Sequence, residues 1–135
     1  NKIDEFYFEK AIKHREFTVS ILNGDCLEPI EIITKSDFYD FNAKYVSENT
    51  QLNLVNLAEK KINELKKIAK KSYHALECSG WARVDIVQDV NEKFFVLEIN
   101  TVPGMTSHSL FPKSAMYSGI NYDDLVETII KTSCE

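Results

Sequence analysis

Hydrophobic and polar positions alternate early in the chain in a pattern that predicts paired strands. A run from Glu16 to Leu22 is followed by Asn23-Gly24, a strong short turn signal, and then by a second run from Cys26 to Ile33. Together they predict a β-hairpin, in which Pro29 indicates a strand edge or an irregularity because it has no N–H to donate. A third extended stretch is predicted from Phe38 to Tyr45.

A second hairpin is predicted later in the chain, where two β-branched and aromatic runs flank a polar turn from Gln88 to Lys93. Side chains on a strand alternate between the two faces, so if Asp85 lies opposite Glu98, Arg83 must lie opposite Asn100. These four polar side chains then project from one side of the hairpin. The other side is expected to carry the apolar residues Val84, Ile86, Leu97 and Ile99.

Between the hairpins, from about Asn56 to Cys78, apolar residues recur every three to four positions and predict an amphipathic helix. Ser79-Gly80 is expected to end this helix. Its lysines fall mostly away from the apolar stripe, which is typical of a solvated helix surface, with an acidic partner as the alternative. The stripe itself consists of Ile62, Leu65, Ile68, Ala69, Tyr73 and Leu76.

Two more helices are predicted after the second hairpin. The first extends from Leu110 to Tyr117, with Ser107 or Ser109 as its N-cap and Ser118-Gly119 at its end. The second lies near Tyr122 to Lys131, and the acids in its first turn suit the helix dipole. Its packing side is expected to contain Leu125, Val126, Ile129 and Ile130.

Composition places the chain among ordinary globular domains. It has 135 residues, 44% hydrophobic and 27% charged, which suits one compact unit with its own core. The net charge of −5 argues against broad binding to nucleic acid or an anionic membrane, and no apolar run is long enough to span a bilayer. Three scattered cysteines, Cys26, Cys78 and Cys134, lack zinc or disulfide spacing and are typical of a reduced, cytosolic protein.

The polar side of the second hairpin is the strongest candidate for chemistry. Two facing acids repel one another unless a cation holds both charged or one is protonated. Asp85, Glu98 and Asn100 offer only oxygen donors, which hard divalent cations such as Mg²⁺ prefer, often with phosphate oxygens. Arg83 beside them could neutralise an anion that the metal also contacts. The alternative is an exposed hairpin face with ordinary surface salt bridges.

A turn rich in Gly, Ser and Thr, from Thr101 to Ser109, follows directly. Pro103-Gly104 is a strong turn signal, and Gly104 allows a backbone N–H to approach a ligand closely. The start of the helix at Leu110 presents further N–H groups that attract carboxylate or phosphate. A structural cap would explain one serine, but it does not explain a metal-type face followed at once by an anion-type loop.

These residues resemble a known family. Arg83-x-Asp85, with Glu98-x-Asn100-Thr-x-Pro-Gly-Met-Thr and Ser109-Leu110, resembles the closing motifs of the D-alanine–D-alanine ligases, within the ATP-grasp superfamily. Upstream blocks such as Glu9-Lys10 and Arg15-Glu16-Phe17-Thr18-Val19 are similar too, so the resemblance extends over nearly the whole chain. Glu-x-Asn alone would indicate only the wider superfamily, whereas the longer string is highly specific. The resemblance implies an α+β fold, the carboxyl-terminal half of an ATP-grasp domain, with a mainly antiparallel sheet flanked by helices.

The resemblance also implies roles for the catalytic and metal-binding positions. Asp85, Glu98 and Asn100 correspond to ligands of two Mg²⁺ ions, with Mn²⁺ as a possible substitute, and Glu98 would bridge them. Arg83 and the N–H of Gly104 would stabilise the negative oxygen of the tetrahedral intermediate. The carboxylate of the second D-alanine would lie at the remaining two positions, Ser109 and Leu110.

A third set of positions is implied to bind ATP. Residues 9 to 12 correspond to the hinge under the adenine, and Glu16 to the contact with the ribose hydroxyls. Lys44 would contact the terminal phosphate, and Tyr45, counted with the catalytic residues, would help close the active-site loop. The whole set implied for ATP is Glu9, Lys10, Ala11, Ile12, Glu16, Phe38, Lys44 and Leu97.

The implied activity is ATP-dependent joining of two D-alanines through an acyl phosphate, in the synthesis of peptidoglycan precursors in the cytoplasm. The family's enzymes are commonly homodimers. They also carry an amino-terminal domain and a glycine-rich lid, which residues 1–135 do not match, so these residues are expected to be the carboxyl-terminal part of the ligase and inactive alone. The alternatives are another ATP-grasp carboxylate–amine ligase and a nucleotide-binding module without chemistry.

Overall fold

The computed structural model describes residue 8 and residues 10–12, 15–33 and 51–133. Within these residues the chain forms six strands and three helices. The strands are β1 (Arg15–Leu22), β2 (Asp25–Cys26), β3 (Ile30–Ile33), β4 (Gln51–Leu54), β5 (Trp81–Gln88) and β6 (Phe94–Asn100). The helices are α1 (Glu59–Ala75), α2 (Leu110–Tyr117) and α3 (Tyr122–Ser133).

The strands form one antiparallel sheet in the order β4-β3-β1-β5-β6, and β2 pairs with the end of β1. The long central strands β1 and β5 pair over their full length, from Arg15 opposite Gln88 to Leu22 opposite Trp81. Directly paired residues point to the same face of an antiparallel sheet, so this register decides which side chains of β1 lie beside those of β5. The predicted antiparallel sheet flanked by helices is confirmed.

Helix α1 covers one face of the sheet and encloses the larger part of the core. Leu65, Ala69 and Tyr73 on the helix pack against the buried sheet residues Phe17, Val19, Ile21, Ala82, Val84, Ile86 and Phe94. Phe17 and Phe94 meet edge to face, with ring centroids 5.8 Å apart. The polar side chains of β5 alternate with these residues and therefore lie on the opposite face.

The opposite face is only partly apolar. At one end, Trp81 stacks edge to face with Phe111 of α2 at 5.3 Å, within a cluster that includes Leu125 of α3. Nearer the other edge, Leu110 of α2 packs on Ile30 and Ile32. The two short helices thus leave the middle of this face to the polar side chains of β1, β5 and β6.

The predicted first hairpin is confirmed. Asn23 and Gly24 have φ of 52° and 79°, the left-handed pair that a two-residue hairpin turn requires. The return strand is broken between Cys26 and Ile30, with the buried Pro29 in the gap, as its missing N–H predicts. The predicted stretch Phe38 to Tyr45 lies outside the described residues.

Helix α1 is shorter than its periodicity predicts. It ends at Ala75 because Glu77 takes φ of 51°, and the N–H groups of Glu77 and Cys78 then donate to the carbonyls of His74 and Tyr73 at 3.0 and 3.1 Å. These two bonds form a Schellman cap. Leu76 lies beyond the last turn and is 66% exposed, so its predicted place in the apolar stripe is wrong.

Helix α2 has the predicted bounds and ends with the same cap. Here Gly119, with φ of 81°, is the left-handed residue, and the N–H groups of Gly119 and Ile120 donate to Met116 and Ala115. Helix α3 begins at Tyr122 and is capped by Asn121, whose Oδ1 accepts from the backbone N–H of Asp124 at 2.9 Å and whose Nδ2 donates to Oδ2 of Asp124 at 2.7 Å. Ile130, predicted to pack, is 58% exposed, because α3 contacts the core mainly along Leu125 and Ile129.

The two caps give opposite expectations for matched substitutions. Glu77→Gly should stabilise the fold by roughly 0.5–1 kcal/mol, because an L side chain in the left-handed region is strained and glycine is not. Gly119→Ala should destabilise it by roughly 1 kcal/mol, through backbone strain alone, since a Cβ there meets no atom of the described residues within 4 Å. Urea unfolding measures the free energy of unfolding of both variants. Equal changes in the same direction would contradict the assignment of the caps.

Candidate active site

The predicted polar cluster of the second hairpin is present. In the β5–β6 pairing, Arg83 lies opposite Asn100 and Asp85 opposite Glu98, so the four side chains share one face. That face is the one turned away from α1, because the intervening Val84 belongs to the core beneath α1. The predicted register is confirmed.

The apolar side of the same hairpin differs from the prediction at one residue. The register shifts between Asp85 and Ile86, so that Ile86 pairs with Val96 and Leu97 is the extra residue of a β-bulge. Val84, Ile86 and Ile99 belong to the core or pack on it. Leu97 is instead 56% exposed, so its predicted place on the apolar side is wrong, and the bulge is the physical reason.

Asp85 is held from two directions. Nε and Nη2 of Arg83 donate to Oδ1 and Oδ2 of Asp85 at 2.9 and 2.8 Å, a two-point ion pair. The hydroxyl of Thr18, directly opposite on β1, donates to the same Oδ1 at 2.8 Å. The two charged side chains are only 11% and 8% exposed, so the pairing compensates charges that are largely removed from water.

The sequence alone does not indicate that Thr18 contacts Asp85. Alternation along β1 places Glu16, Thr18 and Ser20 on one face, but only the β1–β5 register shows that this is the face of Asp85. A single sequence carries no signal for that register, because it joins residues 67 positions apart.

Glu98 and Asn100 complete an oxygen-donor set beside Asp85. The carboxylate of Glu98 is exposed, whereas Asn100 is half-buried and its Oδ1 accepts a hydrogen bond from the N–H of Val102 at 3.0 Å. In the described residues no three His, Cys, Asp or Glu side chains are placed to hold a metal ion. Asp85, Glu98 and Asn100 offer two carboxylates and one amide oxygen, a set of hard donors of the kind that Mg²⁺ prefers.

The loop after β6 is fixed by its own hydrogen bonds. Oγ of Ser109 accepts from the N–H of Thr106 at 3.0 Å and lies 2.9 Å from its hydroxyl. A Cβ on Gly104 would stand 2.9 Å from that same Oγ, so only glycine fits without moving Ser109. Tyr122 of α3, which the sequence did not indicate, donates to the carbonyl of Met105 at 2.7 Å.

The N-terminus of α2 faces this loop. Ser109, one of the two predicted candidates, is the N-cap residue, but its hydroxyl bonds within the loop and makes no hydrogen bond to the helix. Helix geometry leaves the first N–H groups, such as that of Leu110, without intrahelical acceptors. The side chain of Leu110 is buried against β3, so Leu110 can offer a ligand only its backbone.

The positions predicted to bind ATP are only partly described. Lys10 and Ala11 are exposed, Ile12 is half-buried, and Leu97 is exposed. Glu16 is half-buried on β1, on the same face as Thr18 and hence as Asp85. Four predicted residues, Glu9, Phe38, Lys44 and Tyr45, lie outside the described residues. All of these roles remain predictions.

On the face of the sheet that α1 covers, opposite the polar cluster, the lysine-rich side of α1 borders a cavity of about 480 Å³. The cavity is lined by Cys26, Lys66, Lys67, Lys70 and Lys71. Lys66 pairs with Glu28 at 2.7 Å and Lys70 with Asp25 at 3.5 Å, which offsets part of this charge. Burial raises the pKa of the Cys26 thiol, and the two lysines act in the opposite direction. Cys26 and Cys78 are free thiols.

The chain is similar to a family of known enzymes. The family model "D-ala D-ala ligase C-terminus" matches residues 2–131. A D-alanine–D-alanine ligase of Saccharophagus degradans is 49% identical over 123 residues, which are 90% of this chain and 39% of the relative. One of Actinobacillus pleuropneumoniae serotype 5b is 41% identical over 93% of this chain and 41% of the relative.

A solved structure of the same family has a similar fold. The D-alanine–D-alanine ligase from Bacillus anthracis, complexed with ATP, superposes with a TM-score of 0.80 at 37% identity, over 93% of this chain and 40% of that one. The chain therefore spans about 40% of the length of these relatives.

The sheet order, the flanking helices and the polar hairpin thus define the carboxyl-terminal half of an ATP-grasp fold, which confirms the predicted fold class. Within that class, the chain belongs to the D-ala D-ala ligase C-terminus family. Among the described helices, none combines the length and the apolar character that a membrane span requires.

Proposed function

We propose that the protein containing this chain is an ATP-dependent ligase that joins two D-alanines into D-alanyl-D-alanine, a precursor of peptidoglycan. The pairing of Arg83 with Asn100 and Asp85 with Glu98 carries the proposal, since it gathers the family's polar motif on one face. Family membership and the likeness to an ATP-bound ligase support the substrates. This chain is then the carboxyl-terminal part of the ATP-grasp domain, working in the cytoplasm within a homodimer.

Asp85, Glu98 and Asn100 would hold Mg²⁺ in this protein. Asp85 is oriented by two partners, Glu98 is open to solvent, and the Oδ1 of Asn100 has a lone pair left after its bond to Val102. When bound, the metal would offset the negative charge of the ATP phosphates. Arg83 already compensates Asp85, so the exposed Glu98 would supply the second negative charge of the set.

Formation of the peptide bond requires an activated carboxylate. In the proposed sequence the terminal phosphoryl group of ATP passes to the carboxylate of the first D-alanine, giving an acyl phosphate and ADP. The amine of the second D-alanine attacks the acyl carbon, and phosphate leaves with the carbon–nitrogen bond formed. Arg83 and the N–H of Gly104 stabilise the negative oxygen of the tetrahedral intermediate, and such donors typically contribute roughly 3–4 kcal/mol each.

The second D-alanine would be held by its carboxylate at the start of α2. The hydroxyl of Ser109 and the N–H of Leu110 are on adjacent residues there, and the helix dipole favours an anion. Glu9 to Ile12 and Glu16 would contact the adenosine moiety, with Phe38 and Leu97 near the adenine. Lys44 would reach the terminal phosphate, and Tyr45 would close the site.

The experiment is phosphate release from ATP by the full-length protein, with each candidate amino acid offered in turn. The proposal predicts release that requires D-alanine, with D-alanyl-D-alanine as the product. Release with L-amino acids or D-lactate and none with D-alanine would contradict it.

A further inference from the structure

Thr18 lies in the middle of β1, fully buried, directly opposite Asp85. Its hydroxyl has two acceptors within reach, Oδ1 of Asp85 at 2.8 Å and the carbonyl of Val84 at 3.5 Å. A hydroxyl has one proton, and the shorter contact to a charged acceptor is the stronger bond. The proton of Thr18 is therefore directed to Asp85.

The hydrogen bonds of Asp85 are unevenly divided between its oxygens. An ionised carboxylate accepts about two bonds at each oxygen. Among the described residues, Oδ1 accepts two, from Thr18 and from Nε of Arg83, whereas Oδ2 accepts one, from Nη2 of Arg83. Of these two oxygens, Oδ2 has the open position.

We infer that Thr18 is a positioning residue for the proposed cation site: it occupies Oδ1 of Asp85 and so presents Oδ2 as the one oxygen that ligates the ion. The inference rests on the proposed function, because it requires Asp85 to bind a cation. It goes beyond that function by adding a residue of β1 to a site otherwise built from β5 and β6.

The geometry distinguishes the roles of Thr18 and Arg83. Arg83 sits two residues from Asp85 on the same strand, and its long side chain can follow the carboxylate if it turns. Thr18 is short and β-branched, so its hydroxyl has few positions and fixes the carboxylate relative to a neighbouring strand. Loss of such a supporting bond typically weakens metal binding or activity by about 10- to 100-fold.

Ser20 supplies a matched control. It lies two residues along β1, is also fully buried, and stands opposite Arg83 on the same face. In the described part of the chain, its Oγ is the buried side-chain atom that has no hydrogen-bond partner. Removing this hydroxyl removes no bond, so Ser20→Ala should leave cation binding unchanged and should not lower stability.

The test measures Mn²⁺ binding by the full-length protein in the presence of a non-hydrolysable ATP analogue. Electron paramagnetic resonance detects the bound Mn²⁺. Thr18→Val should weaken Mn²⁺ binding by about 10-fold or more, and Thr18→Ser should restore it. Thr18→Ala replaces the valine variant if that variant does not fold. Thermal unfolding of each variant separates a local loss of affinity from a loss of structure.

The outcomes separate this inference from the proposed function. If Asp85→Asn abolishes Mn²⁺ binding and a folded Thr18→Val binds as tightly as the wild type, Thr18 does not position Asp85 and the inference alone fails. If Asp85→Asn itself binds Mn²⁺ normally, the cation site is wrong and the inference falls with it. Weak binding in Thr18→Val, with normal binding in Thr18→Ser and Ser20→Ala, supports it.

Discussion

Replacing Arg83 with methionine is expected to destabilise the fold by about 3–5 kcal/mol. The guanidinium and the Asp85 carboxylate are 11% and 8% exposed, and the ion pair joins them at two points. Methionine removes the positive charge and leaves a carboxylate largely out of water, for which Thr18 is then the hydrogen-bond donor among the described residues. An uncompensated buried charge costs far more than a lost surface salt bridge, and urea unfolding measures the difference.

A second substitution checks the cause. In Arg83→Met combined with Asp85→Asn, the buried charge is gone and only neutral polar groups lose partners, which typically costs roughly 1–3 kcal/mol. The double variant should therefore be more stable than Arg83→Met alone. If it is equally unstable or worse, the loss comes from packing of the arginine side chain and not from the isolated carboxylate.

Gly104→Ala is expected to lower kcat/KM by about 100-fold with little change in stability. The new Cβ would stand 2.9 Å from Oγ of Ser109, so Ser109 must turn away from its contacts with Thr106. Both Gly104 and Ser109 are proposed to contact the reacting groups, where a misplacement of about 1 Å has effects of this size. Gly104 is exposed, so the free energy of unfolding should change little.

Gly119→Ala is the matched control for this prediction. The Cβ of the alanine would meet nothing within 4 Å in the part of the chain that the structure describes, but the φ of 81° strains any L residue. It should lower stability and leave activity unchanged, the reverse of Gly104→Ala. Full activity in Gly104→Ala would show that the loop after β6 tolerates a displaced Ser109 and has no part in the chemistry.

Local chemistry and periodicity predict much of this structure. The polar hairpin was predictable because strand alternation ties Arg83 to Asn100 once Asp85 is placed opposite Glu98. Asn23-Gly24 predicted its turn because both residues accept positive φ. The bounds of α2 were predictable from a capping serine before it, Ser107 or Ser109, and from Ser118-Gly119 after it.

Three features could not be predicted, because they depend on contacts between segments that are distant in the sequence or on an unusual backbone conformation. The bulge that exposes Leu97 is a property of how β5 and β6 pair, not of either run alone. Glu77 ends α1 in a conformation that glycine usually takes, so no composition signal marks it. Thr18 reaches Asp85 only through the β1–β5 register.

The central claim is that Asp85 and Glu98, joined on one face, bind a magnesium–nucleotide complex. Calorimetry tests it by measuring how tightly Asp85→Asn and Glu98→Gln bind Mg²⁺ with an ATP analogue. The control is Glu31→Gln, because Glu31 is an acid of β3 that forms an ion pair with Arg15 at 2.6 Å. We predict that the first two substitutions weaken binding by about 10-fold or more and that the third does not. Wild-type affinity in both Asp85→Asn and Glu98→Gln would contradict the claim.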